Sequence, residues 1–369
     1  MGARRRAGFL VVLALGLLAG APAAGADVSS AEIVRLLSAQ REANGIPGAL
    51  VERADWSYAC DKHNHYEAQT GEFGHEEDPS SPYYSVDGDW AGRHSVIAYG
   101  RGWDTGNPWE DAPIHLLQML APTLSEMGAA ESYGHNCATT WPGYKRPEPA
   151  ALTAYSYPGD GVSGVVPTEY ASESPAIPGD FVGLPEGTAT GRYLLTYLRG
   201  LPSSAEAGAV TASATLANAE GPAELRVIDS TSSDIGFFMP RPSAFLIPVR
   251  PLKPLTGYNA EVRWALDGAP LFTQRFAFTT GTDPVSGAET IKKKRSDGKC
   301  RAYARSARKL RLRAGKTRLH GLSLVHRKTS SSRQRHQGHR LLARSQKLRR
   351  QARKRAKQAS LCRAHPRLS

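Results

Sequence analysis

Charge is divided unevenly along this chain, and the division limits what the chain can fold into. Residues 291–369 carry 28 Lys and Arg against one acid, Asp297, for a net of +27. Residues 27–290 carry 33 Asp and Glu against 16 Lys and Arg, for a net of −17. A segment this basic cannot enter a shared core without leaving unpaired charge in a low-dielectric interior. The acidic part must therefore build the core, and the basic part stands as a tail with its own role. The 264 acidic-part residues are enough for two domains. Hydrophobic residues at 40% and charged residues at 22% fit a globular chain.

The first 26 residues read as an export signal. Arg4, Arg5 and Arg6 form a basic start, residues 9–18 form an apolar run, and Ala24-Gly25-Ala26 offers small residues for cleavage before Asp27. That run is shorter than the ~20 residues a membrane helix needs, and no other segment resembles a span, so a polytopic membrane protein is excluded. No Cys follows the run, so lipoprotein processing is not expected. Export predicts disulfides between the four cysteines, and the expected pairs are Cys60 with Cys137 and Cys300 with Cys362. That choice among three connectivities keeps each bridge within one charge block. There is no Cys-x-x-Cys, so neither a zinc ribbon nor a thioredoxin-like site is supported.

Periodicity predicts a helix from Ser29-Ser30-Ala31-Glu32 to Gly45, a second over 54–70, and a third over 109–120. Segments 126–133 and 136–141 are expected to pair as a hairpin around Gly134-His135. Residues 143–188, rich in Pro and Gly, read as an extended connector. Six β-type runs follow, at 192–198, 209–216, 224–228, 244–249, 258–265 and 271–279, and their spacing suggests a β-sandwich over 189–281. The stretch from Pro251 to Tyr258 resembles the corner motif of bacterial Ig-like domains, which implies a Tyr258 hydroxyl tied to backbone just upstream. In the basic tail, 282–369, segments 300–313 and 339–360 are compatible with helix.

Six of the eleven histidines fall between residues 63 and 135, among acids. His63-x-His65 with His75 is one candidate zinc set, although His75-Glu76-Glu77-Asp78-Pro79 lacks the second His of the usual zincin helix. Gly-x-Ser-x-Gly and glycine-rich phosphate loops are absent. The plain alternatives are a loop-tethering role for His75, a packing role for His115, and core roles for Trp56, Trp90, Trp103, Trp109 and Trp141.

An ordered set of residues adds to this. Arg41, Asn44-Gly45 and Pro47 are followed by His63-Asn64-x-Tyr66, Gly74-His75-Glu76, Ser81-Pro82-Tyr83-Tyr84 and Gly88. Then come Ser95-Val96-Ile97-Ala98, Trp109-x-x-Ala112-Pro113-x-His115, Leu120-x-Pro122-x-Leu124 and Gly128. The set resembles the CAP superfamily (cysteine-rich secretory proteins, antigen 5, pathogenesis-related 1) in its bacterial secreted form, over about residues 30–142. The resemblance implies an α-β-α sandwich over 27–142 with a surface cleft holding two His and usually two Glu, which in some members bind a divalent metal. His75 and His115 match the two His positions. The family's Gly-Glu-Asn corresponds to Gly92-Arg93-His94, which lacks the Glu, and the second Glu position falls at Ala112, beside Glu110. His94 is a substitute candidate.

The expectation is an α+β protein: a CAP-type sandwich, an Ig-like sandwich and a basic, helix-compatible tail. The expected function is that of an exported, non-enzymatic protein. It binds a small apolar or glycan ligand and is held at the cell envelope by anionic polymers or lipids on the tail. Nucleic acid is disfavoured, since the tail has Tyr303 as its one aromatic residue. One alternative is a metal-assisted hydrolase using zinc or another divalent metal on His75 and His115, with Glu76 or Glu110 as base. Another is a structural envelope protein.

Overall fold

The computed structural model describes residues 27–174, 176–201, 209–282, 306, 309–310, 313–314, 317, 320 and 331–364. The expected leader and the expected Cys300–Cys362 pairing lie outside the described residues.

Helix α1 (Ser30–Ala43) opens on Ser29, whose side chain accepts the Glu32 N–H, and turns Ile33, Val34, Leu37 and Arg41 inward. Helix α2 (Ala54–Thr70) stops at Gly71, which takes the left-handed conformation that glycine adopts without a Cβ penalty. Helix α3 (Val86–His94) is capped by Ser85. Helix α4 (Pro113–Met119) is shorter than the predicted 109–120. Pro113 keeps the residue before it out of the helical region, so the helix cannot start earlier.

These helices cover a four-stranded sheet, β1 (Val51–Glu52), β2 (Ser95–Tyr99), β3 (Glu126–Ser132) and β4 (His135–Thr139), ordered β1-β3-β4-β2. The two-residue period of β3 sends alternate side chains to opposite faces. Met127 and Ala129 join Ile33, Leu37, Leu116 and Leu117, the inner residues of α1 and α4. Ala130 joins Ala59, Cys60 and Ala91 of α2 and α3. Between them Gly128 lies under α2, where an added Cβ would sit 2.3 Å from the Trp56 Cβ. Cys60 and Cys137 form a disulfide that ties α2 to β4. Helices therefore lie on both faces of this sheet.

Among the described residues nine strands follow: β5 (Thr153–Tyr157), β6 (Val162–Val165), β7 (Leu194–Arg199), β8 (Val210–Asn218), β9 (Gly221–Ala223), β10 (Leu225–Asp229), β11 (Ser243–Pro248), β12 (Gly257–Leu266) and β13 (Ala269–Thr280). They form two sheets, ordered β10-β11-β7-β5 and β6-β13-β12-β8-β9. Between the sheets, Leu194, Leu198 and Leu246 meet Val262, Trp264, Phe276 and Phe278. The alternate residues of β7 and β11, namely Leu195, Tyr197, Phe245 and Ile247, point the other way and share a core with α1 and α4. A strand buried on both faces needs apolar residues at every position, so Leu194–Arg199 and Ser243–Pro248 read as runs where β12 alternates.

The stretch 143–188 differs from the extended connector expected there. It supplies β5 to the edge of one sheet and β6 to the edge of the other, parallel to β13. Trp141, expected in the core, is 49% exposed. The Lys253 N–H donates to the Tyr258 hydroxyl at 2.9 Å, the backbone tie expected of that corner. In the tail, α5 (Ser332–Ala364) carries 12 Lys and Arg and no acid. Its buried positions include Gly338, Ser345 and Ala352, seven residues apart, and the Ser345 hydroxyl donates to Ala314 O at 2.9 Å.

Candidate functional site

The residues singled out in the sequence fall into three groups of contacts, and the first two lie close enough for His115 to act electrostatically on His75. The first is the loop after α2. His75 donates from Nδ1 to the Gly92 carbonyl of α3 at 2.7 Å. Desolvation, followed by the charges of His115, His63 and Arg349, pushes the His75 pKa down. The side chain keeps an exposed edge, so solvent screens part of that shift. Glu76 beside it pairs with Arg93 of α3 at 3.4 Å and with Arg349 of α5 at 3.1 Å. The basic helix therefore touches the acidic loop next to His75.

The second place is the first turn of α4. His115 donates from Nδ1 to Glu173 Oε2 at 2.7 Å. The same carboxylate accepts the backbone N–H groups of Ile114 and His115. These N–H groups have no intrahelical partner, and a carboxylate is well placed against them. Glu173 is 58 residues away in the Pro-rich stretch, and no local signal in the sequence points to it.

The third is the junction of the two halves of the fold. Glu110, expected beside the cleft, binds Arg192, the Tyr157 hydroxyl and Gln40. Arg192 also faces Glu169 at 3.7 Å. Burial pushes the Glu169 pKa up to about 7, Arg192 opposing the shift. Glu110 thus joins the α1 side to the strands and does not serve His115. His94, the substitute candidate, turns its Nδ1 to Trp90 O at 2.7 Å and stacks on the Trp90 ring.

The set His63, His65 and His75 does not converge. His63 and His65 are two residues apart on α2, and that spacing puts them on different faces of a helix. His65 meets the rings of Tyr83 and Tyr133. His63 is fully buried, with Nδ1 3.1 Å from Glu77 Oε1 and Nε2 3.0 Å from the Gly74 carbonyl. Both nitrogens face oxygen atoms, one a carboxylate and one a carbonyl. Glu67, one turn along α2, accepts the Gly74 N–H and lies 3.0 Å from His135 Nδ1. Burial lifts Glu67 to about 7 against the opposing pull of His63. This Glu77–His63–Glu67–His135 chain was not foreseen as a unit, although the four-residue spacing of His63 and Glu67 on a helix is a visible signal for one pair. Gly92 closes it from above, since an added Cβ would lie 2.4 Å from His63 Cε1.

Among the described residues no three His, Cys, Asp or Glu side chains are grouped to hold a metal ion. The Nδ1 atoms of His75 and His115 are held by the Gly92 carbonyl and the Glu173 carboxylate, which leaves each Nε2 as the ring nitrogen that could meet a ligand.

Fold and site together define an α+β protein with a helix-covered sheet joined to a pair of facing sheets. No protein-family model matches the chain, and no curated protein matches it. Among solved structures, PcoC, a methionine-rich copper resistance protein from Escherichia coli, aligns at 16% identity over 35% of this chain and 96% of its own, with a TM-score of 0.21. Its selenomethionine form aligns at 16% identity over 36% and 99%, with a TM-score of 0.20. Similarity at that level carries no argument about fold or function.

Proposed function

We propose that this chain is an exported, non-enzymatic binding protein of CAP type. It takes a small apolar or glycan ligand on its helix-covered sheet and is held at an anionic envelope by its tail, with the Ig-like sandwich between. The observation that carries the envelope part is α5, with 12 cations and no acid over 33 residues. Like charges at helical spacing repel, so such a helix is stabilised by an anionic surface. Its exposed cations include Arg333, Arg340, Arg344, Lys347 and Arg350. Each is worth about 1 kcal/mol near an anionic bilayer at low salt. The CAP reading is supported by helices on both faces of the first sheet and by His75 and His115 at their motif positions. The Cys60–Cys137 bridge supports an oxidising compartment. Among the described residues no helix is long and apolar enough to cross a membrane.

The test is co-sedimentation of the full chain, and of a chain ending at 282, with phosphatidylglycerol vesicles and with isolated envelopes across a salt series. Salt-sensitive binding that vanishes with the tail is expected. A tail-less chain that binds as firmly as the full chain in low salt sinks the proposal.

A further inference from the structure

The cations of α5 point in two directions. Arg349 is half-buried and reaches the body of the protein, where its Nη1 lies 3.1 Å from Glu76 Oε2. One turn before it, Ser345 is buried and donates to the Ala314 carbonyl at 2.9 Å. Gly338 and Ala352, seven residues to either side of Ser345, are buried as well. On a helix of about 3.6 residues per turn these positions and Arg349 share one side. Arg333, Arg340, Arg344, Lys347, Arg350 and Lys354 are exposed, and the same geometry turns them away from that side. Arg340 stands about 180° around the axis from Arg349. The exposed patch runs about 30 Å from Arg333 to Lys354, and Arg344 and Arg350 mark margins about 120° apart around the axis. It is an area and not a line.

The opposite charge lies behind the helix. Residues 72–89 hold six acids and no Lys or Arg. Glu76 takes both Arg93 and Arg349. The Ser80 N–H and hydroxyl, with the charge of Arg350 added, hold the Asp78 carboxyl below the usual carboxylate range. An anionic surface would repel this loop directly. Helix α5 is about 10 Å thick, close to a Debye length at physiological salt, so a surface on its far side meets the cations first and is screened from the acids.

We propose that α5 is a two-sided adaptor that lies flat on an anionic lipid bilayer, with the face from Arg333 to Lys354 on the headgroups and Arg349 holding the 72–89 loop on the other side. A bilayer fits the patch because headgroups form a two-dimensional array and reach all of its cations at once, whereas one polymer strand covers a single row. The helix has no Phe, Trp or Tyr, and Leu341, Leu342 and Leu348 are half-buried, so it stays at headgroup level. His75 and Glu76 then lie one helix thickness from the membrane. The inference names the partner of the tail in the proposed function and rests on that reading.

The test uses the full chain with phosphatidylglycerol vesicles in low salt. Arg340→Gln/Arg344→Gln/Lys347→Gln removes three cations of the patch, and glutamine keeps the helix propensity. Arg226→Gln/Arg263→Gln/Arg275→Gln removes the same charge from exposed positions on the strands. The patch variant is expected to bind about a hundredfold more weakly than the parent, and the strand variant within about threefold of it. Equal losses in the two variants overturn the face. Orientation is read with Arg349→Lys, which supplies an amine that a carbodiimide can join to the Glu76 carboxylate, detected by mass spectrometry. The amide is expected to form in the free chain and equally on saturating vesicles. No amide in the free chain, or an amide that vesicles suppress, overturns the adaptor. Tighter binding to soluble polyphosphate than to vesicles at equal phosphate assigns the patch to a linear polymer and overturns the bilayer. Retention on isolated envelopes without vesicle binding does the same and leaves the envelope reading standing, whereas retention on neither overturns both.

Discussion

Arg41 is fully buried on α1 and faces no carboxylate. Its guanidinium donates to the carbonyls of Pro47 at 2.9 Å, Met119 at 2.8 Å, Ala121 at 3.0 Å and Leu124 at 3.3 Å. Burial lowers its pKa to about 10, which still leaves it charged at neutral pH. Two effects compete when it is replaced by methionine. Removing the charge saves its desolvation cost, several kcal/mol. Against that, four carbonyls lose a charge-assisted donor, at about 1–3 kcal/mol each where no second donor remains; Ala121 O keeps the Leu124 N–H and Leu124 O keeps Arg146. The second effect wins because the acceptors sit on two segments, at Pro47 and over 119–124, and cannot turn together toward solvent. Arg41→Met is expected to lower unfolding free energy by about 3–5 kcal/mol, with Arg41→Lys intermediate. Urea unfolding followed by tryptophan fluorescence measures this. Because Met119 closes α4, the variant should also disturb the His115–Glu173 contact, visible as a shifted His115 imidazole resonance. A loss below about 1 kcal/mol would refute the reasoning, since it would mean the carbonyls find other partners.

Three further outcomes are expected. Tyr258→Phe should cost about 1 kcal/mol in urea unfolding, because the Lys253 N–H loses its acceptor at the strand corner; an unchanged midpoint would count against that role. Replacing Cys60 and Cys137 together by serine opens a loop spanning 77 residues and should cost about 4.5 kcal/mol on the chain-entropy estimate, measured the same way. Glu67 has a folded pKa raised from 4.5 to about 7, so its contribution is full below pH 4.5 and is lost as pH rises through 7. The melting temperature of the parent should therefore fall more steeply over that window than that of Glu67→Gln. His135 is shifted down by burial and opposes this trend in both proteins, so the difference between the two curves is the quantity to read.

Much of the fold was legible because local rules agree with it. Gly71 ends α2 where the pattern of Trp56, Ala59, Cys60 and His63 stops, and all six predicted β-runs from 192 onward became strands. Proline and glycine misled at 143–188, since β5 and β6 are edge strands and an edge tolerates residues that a central strand does not. The site was less legible. The acid at His115 comes from Glu173, and the cation at Glu76 comes from Arg349, 273 residues away. Pairings at such separations leave no periodic trace. His75 and His115 were singled out by motif order, and their hydrogen-bond partners required the fold.

The sheet β10-β11-β7-β5 also sets a timetable for synthesis. The apolar faces of α1 and α4, with Ile33, Leu37 and Leu117, are covered by Tyr197, Phe245 and Ile247. At translation rates of 5–20 residues per second, the chain from Leu37 to Pro248 takes roughly 10–40 s to emerge. Throughout that interval the first helices are present without the strands that cover them. The first half of the chain therefore completes its core only when the second half has been made, so the two halves fold as one cooperative unit and not in sequence.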